Sequence, residues 1–259
     1  ARIELSDMAS FSAIVGAWLK LSDNLEVAAS GRVIPVALNA AGDTTLANIP
    51  GQTQFPPNKL EIEGSSARMN LTIPPTATIG ARYVHRDGKR EVFDVELDLV
   101  YEAWSMLKEY RVELDGKIKL FAEQEAPDVV IAKNWRDTLS ARLGGTWNAS
   151  EMLGLSLGGY YEQGAVPDAY THIDFPSFDR IGAGAGVQLK FKSIDVSLAY
   201  NIVMQADRVI DEKFAKVYQV RPLSDPPEDC GGPCGLVPAN AGTFTSAIQI
   251  VAASVTARF

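Results

Sequence analysis

Three carboxylates stand at alternate positions in FDVELDL: Asp94, Glu96 and Asp98. Side chains two residues apart share one face of a β-strand, so this run lays an acidic row along one side of a strand. Such a row could gather a cation, but a wetted face with arginines opposite is the ordinary way to hold several carboxylates together. CGGPC sets Cys230 and Cys234 close together, yet two thiols with no His nearby cannot fill the four positions of a structural zinc site. His85 and His172 are far apart, and neither has a nucleophile or a ligand partner at a recognisable spacing. Asp168, Asp174 and Asp179 in the DAYTHIDFPSFD segment offer oxygens to calcium, but not at the spacing of the known calcium loop. GAGAG, residues 182–186, lacks the Lys-Ser or Lys-Thr and the following helix that a phosphate loop needs, and its glycines are better read as making room on one face of a strand. No Ser, His and acid constellation is found. The reactive residue types therefore predict neither an enzyme nor a bound metal or cofactor.

The elements that carry these residues repeat one pattern. From Ile181 to Phe191 the odd positions are apolar and the even ones are Gly, Gln or Lys; after Lys192 and Ser193 the phase reverses, and Ile194, Val196, Leu198, Tyr200 and Ile202 alternate with Asp195, Ser197, Ala199 and Asn201. That is a hairpin with one apolar and one wet face. The same alternation recurs over 13–21, 25–33, 93–103, 138–147, 153–162 and 251–259, and over 69–83 in one long strand kinked at Pro74 and Pro75. Nine strands are expected.

Their connections alternate strictly between two kinds. Residues 22–24, 85–91, 148–152 and 192–193 are short; residues 36–65, 114–134, 164–179 and 205–242 are long and rich in Pro, Gly and Asp. Short turns at one end and long loops at the other are the layout of a transmembrane β-barrel, and a soluble sandwich has no reason to sort its loops so. Lys20, Glu26, Arg32, Arg68, Arg82, Asp94, Glu96, Asp98, Glu102, Arg142, Glu162, Lys190, Asp195 and Arg258 all fall on the non-apolar phase, where a barrel has its wet lumen. Arg82 is expected to pair there with Glu96 or Asp98 on the next strand.

Composition agrees. No window of about 18 apolar residues exists, which excludes a membrane helix, and a net charge of -8 without clustered Lys and Arg argues against a nucleic-acid partner. The first residues lack the basic and apolar regions of a signal peptide, so an exported protein would be represented here in processed form. The terminal Phe259, closing an alternating strand, fits an outer-membrane barrel.

Four stretches carry a more specific signal: NWRDTLSARLGGTWN (134–148), LGLSLGGYYEQGAVPDA (153–169), FPSFDR (175–180) and NLTIPPTATIGARY (70–83). They resemble the FadL family of outer-membrane transporters for long-chain fatty acids and other hydrophobic compounds. The resemblance implies an all-β antiparallel barrel of fourteen strands with an N-terminal hatch, of which this chain would supply about nine C-terminal strands. Residues 1–259 would then be the C-terminal portion of a single barrel domain, with the hatch and first strands absent from it. An upstream segment or a second chain is expected to complete the wall, so the strand over 13–21 should not pair with the C-terminal strand. It also implies an outer-membrane location and passive uptake of a hydrophobic small molecule or lipid, such as a fatty acid or an aromatic hydrocarbon. The alternative is a structural or interaction barrel within a larger envelope assembly.

Two further expectations follow from a barrel. Apolar residues on the inward phase, Trp18, Tyr160, Ile248 and Ile250, are candidates to contact a greasy substrate, or else to pack on a plug. Cys230 and Cys234 would lie in the longest external loop, where oxidation favours a disulfide; a pair of inert or reactive thiols is the other possibility.

Overall fold

The computed structural model describes residues 2–45, 61–119, 123–125, 128–218 and 238–257. The strands in chain order are β1 (Arg2–Ser6), β2 (Ala13–Lys20), β3 (Leu25–Ile34), β4 (Val36–Thr45), β5 (Glu61–Ile73), β6 (Thr76–Asp87), β7 (Arg90–Glu102), β8 (Glu109–Lys119) and β9 (Glu123–Glu125). They continue with β10 (Val129–Ala132), β11 (Thr138–Asn148), β12 (Leu153–Glu162), β13 (Arg180–Lys190), β14 (Ile194–Gln205), β15 (Arg208–Ile210), β16 (Gly242–Phe244) and β17 (Ala247–Ala257).

Nine of them form one antiparallel sheet in the order β17-β14-β13-β12-β11-β7-β6-β3-β2. Eight of them are strands that the alternation predicts; the ninth is a correction, because the single long strand expected over 69–83 is divided at Pro74–Pro75 and only its second part, β6, joins this sheet. Along β6 the alternation becomes an alternation of exposure: Ala77, Ile79, Ala81 and Tyr83 are exposed while Thr76, Thr78, Gly80 and Arg82 are half-buried. Leu157 is 73% exposed and Val251 71%, whereas Glu162 and Ser140 are buried. A water-soluble sheet buries its apolar row, so this inverted arrangement makes sense only with lipid against the apolar face. Aromatic residues mark the two rims of that face. Phe93 and Trp147 are directly opposite each other near the short turns, and Tyr101 and Tyr161 lie near the long connections. The Tyr101 hydroxyl donates to Asp137 at 2.7 Å and the Tyr161 hydroxyl to Asp179 at 3.1 Å, as suits phenols at a membrane–water boundary. From Phe93 to Tyr101 the strand runs about 27 Å at roughly 3.4 Å per residue, the scale of the apolar band of an outer-membrane barrel.

A second sheet runs β1-β4-β5-β8-β10, with β9 beside β8. Each of the five strands on its main path is joined in sequence to a neighbour in the large sheet, and the order is preserved: β1 to β2, β4 to β3, β5 to β6, β8 to β7, β10 to β11. The joints have local causes. Pro35 separates β3 from β4 and Pro74–Pro75 separate β5 from β6, because proline has no N–H to give a ladder. A 3-10 turn at Trp104–Met106 separates β7 from β8, and Asn134, with φ of 45°, lies in the joint between β10 and β11. The expected loops 36–65 and 114–134 therefore contain β4, β9 and β10 and parts of β5 and β8, which is a correction. After Val36 and Leu38, VALNAAGDTT in β4 has small or polar residues on both phases, since a strand outside lipid needs no sustained apolar row, and its pairing comes from backbone ladders that leave no mark on composition. His85 likewise belongs to β6 and not to a turn: the hairpin closes at Gly88–Lys89, with Gly88 in the left-handed region at φ 60°.

β2 pairs with β3 and β17 pairs with β14; no ladder joins β2 to β17 among the described residues. Among the described residues the sheet is open at both ends.

Candidate functional site

The strand registers join the inward residues into continuous cross-strand rows. One row reads Trp18, Ala28, Gly80, Asp98, Arg142, Tyr160, Gly182, Val203, Ile248 from β2 to β17. The next, toward the short turns, reads Lys20, Glu26, Arg82, Glu96, Gly144, Gly158, Gly184, Asn201, Ile250. Three of the four candidate substrate contacts thus share one row and Ile250 lies in the adjacent one. They are not a cluster: Trp18 stands at one end of the sheet, Ile248 and Ile250 at the other, and Tyr160 between them.

The two halves of the inner face differ. On β3, β6 and β7 two arginines and three carboxylates interlock. Arg82 reaches Asp94 at 2.5 Å, Glu91 at 3.2 Å and Glu26 at 3.4 Å, while Arg86 reaches Glu91 at 2.8 Å and Glu26 at 3.3 Å. The expected pairing of Arg82 with Glu96 or Asp98 is corrected here. Arg82 is directly opposite Glu96 in register, but its guanidinium turns toward the short-turn end, where three carboxylates converge. Among the described residues Glu96 and Asp98 take part in no ion pair; the Asp98 carboxylate lies over Gly80, where a Cβ would collide with it. Glu26 and Asp94 were visible in the sequence as inward-phase charges, whereas Glu91 and Arg86 sit where the alternation breaks at the hairpin and a bulge shifts the register.

On β11 to β14 the middle of the inner face is built mainly of small residues, with Arg142, Gln188 and Asn201 at its margins. Gly144, Gly158, Gly184 and Gly186, with Ser156 and Ala199, line a recess of about 950 Å³ that also takes in Asp94, Glu96 and Asp98 on its charged side. At its long-loop end the ring of Tyr160 lies over Gly182. Beyond Tyr160, Arg180 is hydrogen-bonded to Glu162.

Past that end the connections fold into a cap that the sequence did not reveal. Leu107, Trp135, Ala165 and Val166 form a buried cluster, with Leu71, Trp104 and Tyr110 packed on it. Trp104 meets Trp135 edge-on at 5.1 Å, and Phe175 meets both Trp135 and Tyr110. Lys133, 1% exposed, is the unexpected member: its ammonium is paired with Asp174 and stands 4.4 Å from the centre of the Tyr110 ring. Burial pushes the Tyr110 phenol up to about 12, with the Asp174 charge adding to it. Burial works against the Asp174 carboxylate too, but the hydrogen bond and charge of Lys133, helped by His172, outweigh it and hold Asp174 below the usual carboxylate range. The three aspartates of the DAYTHIDFPSFD segment face different partners. Asp168 pairs with Arg208 at 3.1 Å, Asp174 with Lys133, and Asp179 accepts from the Gly164 N–H at 2.8 Å. No group of three or more potential metal ligands is found among the described residues. Cys230, Cys234 and Phe259 lie outside the described residues.

Comparison with known proteins agrees with this geometry. Residues 4–259 match the family described as outer membrane protein transport protein (OMPP1/FadL/TodX). A Pseudomonas aeruginosa FadL homologue of known crystal structure superimposes with a TM-score of 0.70 at 17% identity, covering 95% of this chain and 52% of that one. CymD, a monoaromatic hydrocarbon channel, superimposes with a TM-score of 0.53 at 16% identity, over 76% of this chain and 47% of that one. At these identities the likeness is one of fold, and the chain spans about half the length of each structure. No curated protein matches it.

Proposed function

This chain belongs to the outer-membrane transport proteins of the OMPP1/FadL/TodX family, and from that premise we propose that it is the C-terminal portion of a single barrel through which hydrophobic molecules cross the outer membrane passively. The observation that carries the reading is the inverted wall: apolar residues outward on all nine strands, and inward a recess walled by glycine on one side and charge on the other. Greasy solutes are slowed by the outer leaflet and excluded by water-filled pores, so their channel must offer a path that is neither. Tyr160, with Trp18, Ile248 and Ile250 on the neighbouring rims of the sheet, supplies apolar contact surface on that path.

The open ends belong to the same proposal. An unpaired strand edge in hydrocarbon leaves N–H and C=O groups unsatisfied at several kcal/mol each, so β2 and β17 call for further strands. Those strands, and a hatch, would come from an upstream segment of the polypeptide or from a second chain. Long-chain fatty acids and small aromatic hydrocarbons both fall within the proposed substrate class; the reading as a structural subunit has no observation of its own in its favour. The test is uptake of radiolabelled oleate and toluene by cells that depend on this protein. Faster entry of either than in cells carrying an empty vector is expected, and no difference for both would overturn the proposal.

A further inference from the structure

We propose that the Tyr160–Gly182 pair sets the bore of the channel at the long-loop end of the recess, and with it the widest solute admitted; the inference rests on the transport reading above. Tyr160 has Arg142 opposite it on β11 and Gly182 opposite it on β13. Its ring lies over Gly182, so that a Cβ built there would collide with its Cε1 and Cζ. Gly182 does not occupy the left-handed backbone region, so an alanine is compatible with the strand and what the glycine provides is space alone. The collision would be with the far end of a side chain that turns about χ1, and not with backbone, so the wall can keep its register while the ring moves. It has one way to go. Arg142 holds the β11 side, Gly182→Ala blocks the β13 side, and the ring must stand out into the lumen.

The position makes that movement consequential. Tyr160 is the inward-facing ring among the residues lining the recess, and below it lie Gly158 and Gly184, which project nothing. With the ring over Gly182, the mouth is as wide as the glycine-lined floor; with the ring erect, it narrows by the depth of a phenol group. Pore diameter is one of the few quantities by which a channel selects.

The test compares wild-type protein, Gly182→Ala, Tyr160→Ala and the double variant for uptake of toluene, naphthalene and oleate by whole cells, with heat-dependent gel migration confirming folded barrels. Gly182→Ala should slow naphthalene at least about fivefold while toluene stays within about twofold, whereas Gly182→Ala added to Tyr160→Ala should leave naphthalene uptake within about twofold of Tyr160→Ala alone. Should wild type admit oleate alone, the same dependence on the ring is expected in oleate uptake. Tyr160→Ala by itself is the baseline for the double variant, because it removes both the ring and an apolar contact for the solute. Normal uptake in a folded Gly182→Ala, or an equal loss when Gly182→Ala is added to Tyr160→Ala, would each overturn the inference. A wild-type protein that admits none of the three would instead overturn the transport reading.

Discussion

The inner face of β3, β6 and β7 and the inner face of β12, β13 and β14 belong to one sheet with one outer surface, yet they are built from opposite materials. The first holds Glu26, Arg82, Arg86, Glu91 and Asp94 in a single ionic network. The second presents Gly158, Gly184 and Gly186 along the recess, with the ring of Tyr160 over Gly182 at its end. Outward the two halves are the same: Leu97 is 48% exposed and Leu157 73%, both on lipid-facing rows. The outer row of every strand answers to one solvent and has no freedom to differ. The inner row answers to whatever occupies the lumen, so one side of the bore can be a rigid ionic rib while the other is left as open space.

The largest expected effect tests the sameness. Leu97→Arg on the charged half and Leu157→Arg on the glycine-lined half should each cost about 2 to 4 kcal/mol in a lipid-refolding titration, because both put a cation into hydrocarbon. A twofold difference between them would show that the halves do not share an outer environment. Next comes the difference. Arg82→Ala leaves three carboxylates facing one another around Arg86 and should cost about 1 to 3 kcal/mol, less than a fully buried pair because Arg82 is 29% exposed. A loss below about 0.5 kcal/mol would make the network ornamental. On the glycine-lined half, Ser156→Arg adds a large cation where the recess has room and should cost less than about 1 kcal/mol, lumen substitutions being better tolerated than lipid-facing ones. If it cost as much as Leu157→Arg, the assignment of faces would be wrong.

The smallest effect concerns the cap at the long-connection end. Asp174 has its pKa below the ordinary carboxylate value, so its contribution is fully present above that value, near pH 3.9, and is lost as pH falls through the lower folded value. Between pH 5 and pH 3 the hold of Asp174 on Lys133 should weaken by less than about 1 kcal/mol, seen as a change in Trp104 and Trp135 fluorescence that Asp174→Asn abolishes. A response that persists in Asp174→Asn would place its origin elsewhere.

The sequence by itself determined the wall strands, their faces and the sorting of turns from long connections, because lipid on one side forces a strict period of two wherever a strand crosses it. It also determined that Arg82, Asp94, Glu96 and Asp98 share the wet face. It did not determine which of them pair: register sets Arg82 opposite Glu96, but side-chain reach and the convergence of Glu26, Glu91 and Asp94 near the turn decide the contact. The second sheet was only partly legible: β4 carries no sustained apolar row, whereas in β8 Tyr110, Val112, Leu114 and Ile118 do alternate with Glu109, Arg111, Glu113, Asp115 and Lys117, a signal that could have marked it as a strand, and ladders between distant segments such as Ala67 with Leu114 are made by backbone atoms common to every residue. Only the tertiary structure buried Lys133 against Tyr110 and Asp174, and only it laid Tyr160 over Gly182. Both depend on which residue a strand or loop brings opposite another, and a one-residue slip in pairing would have separated each of them.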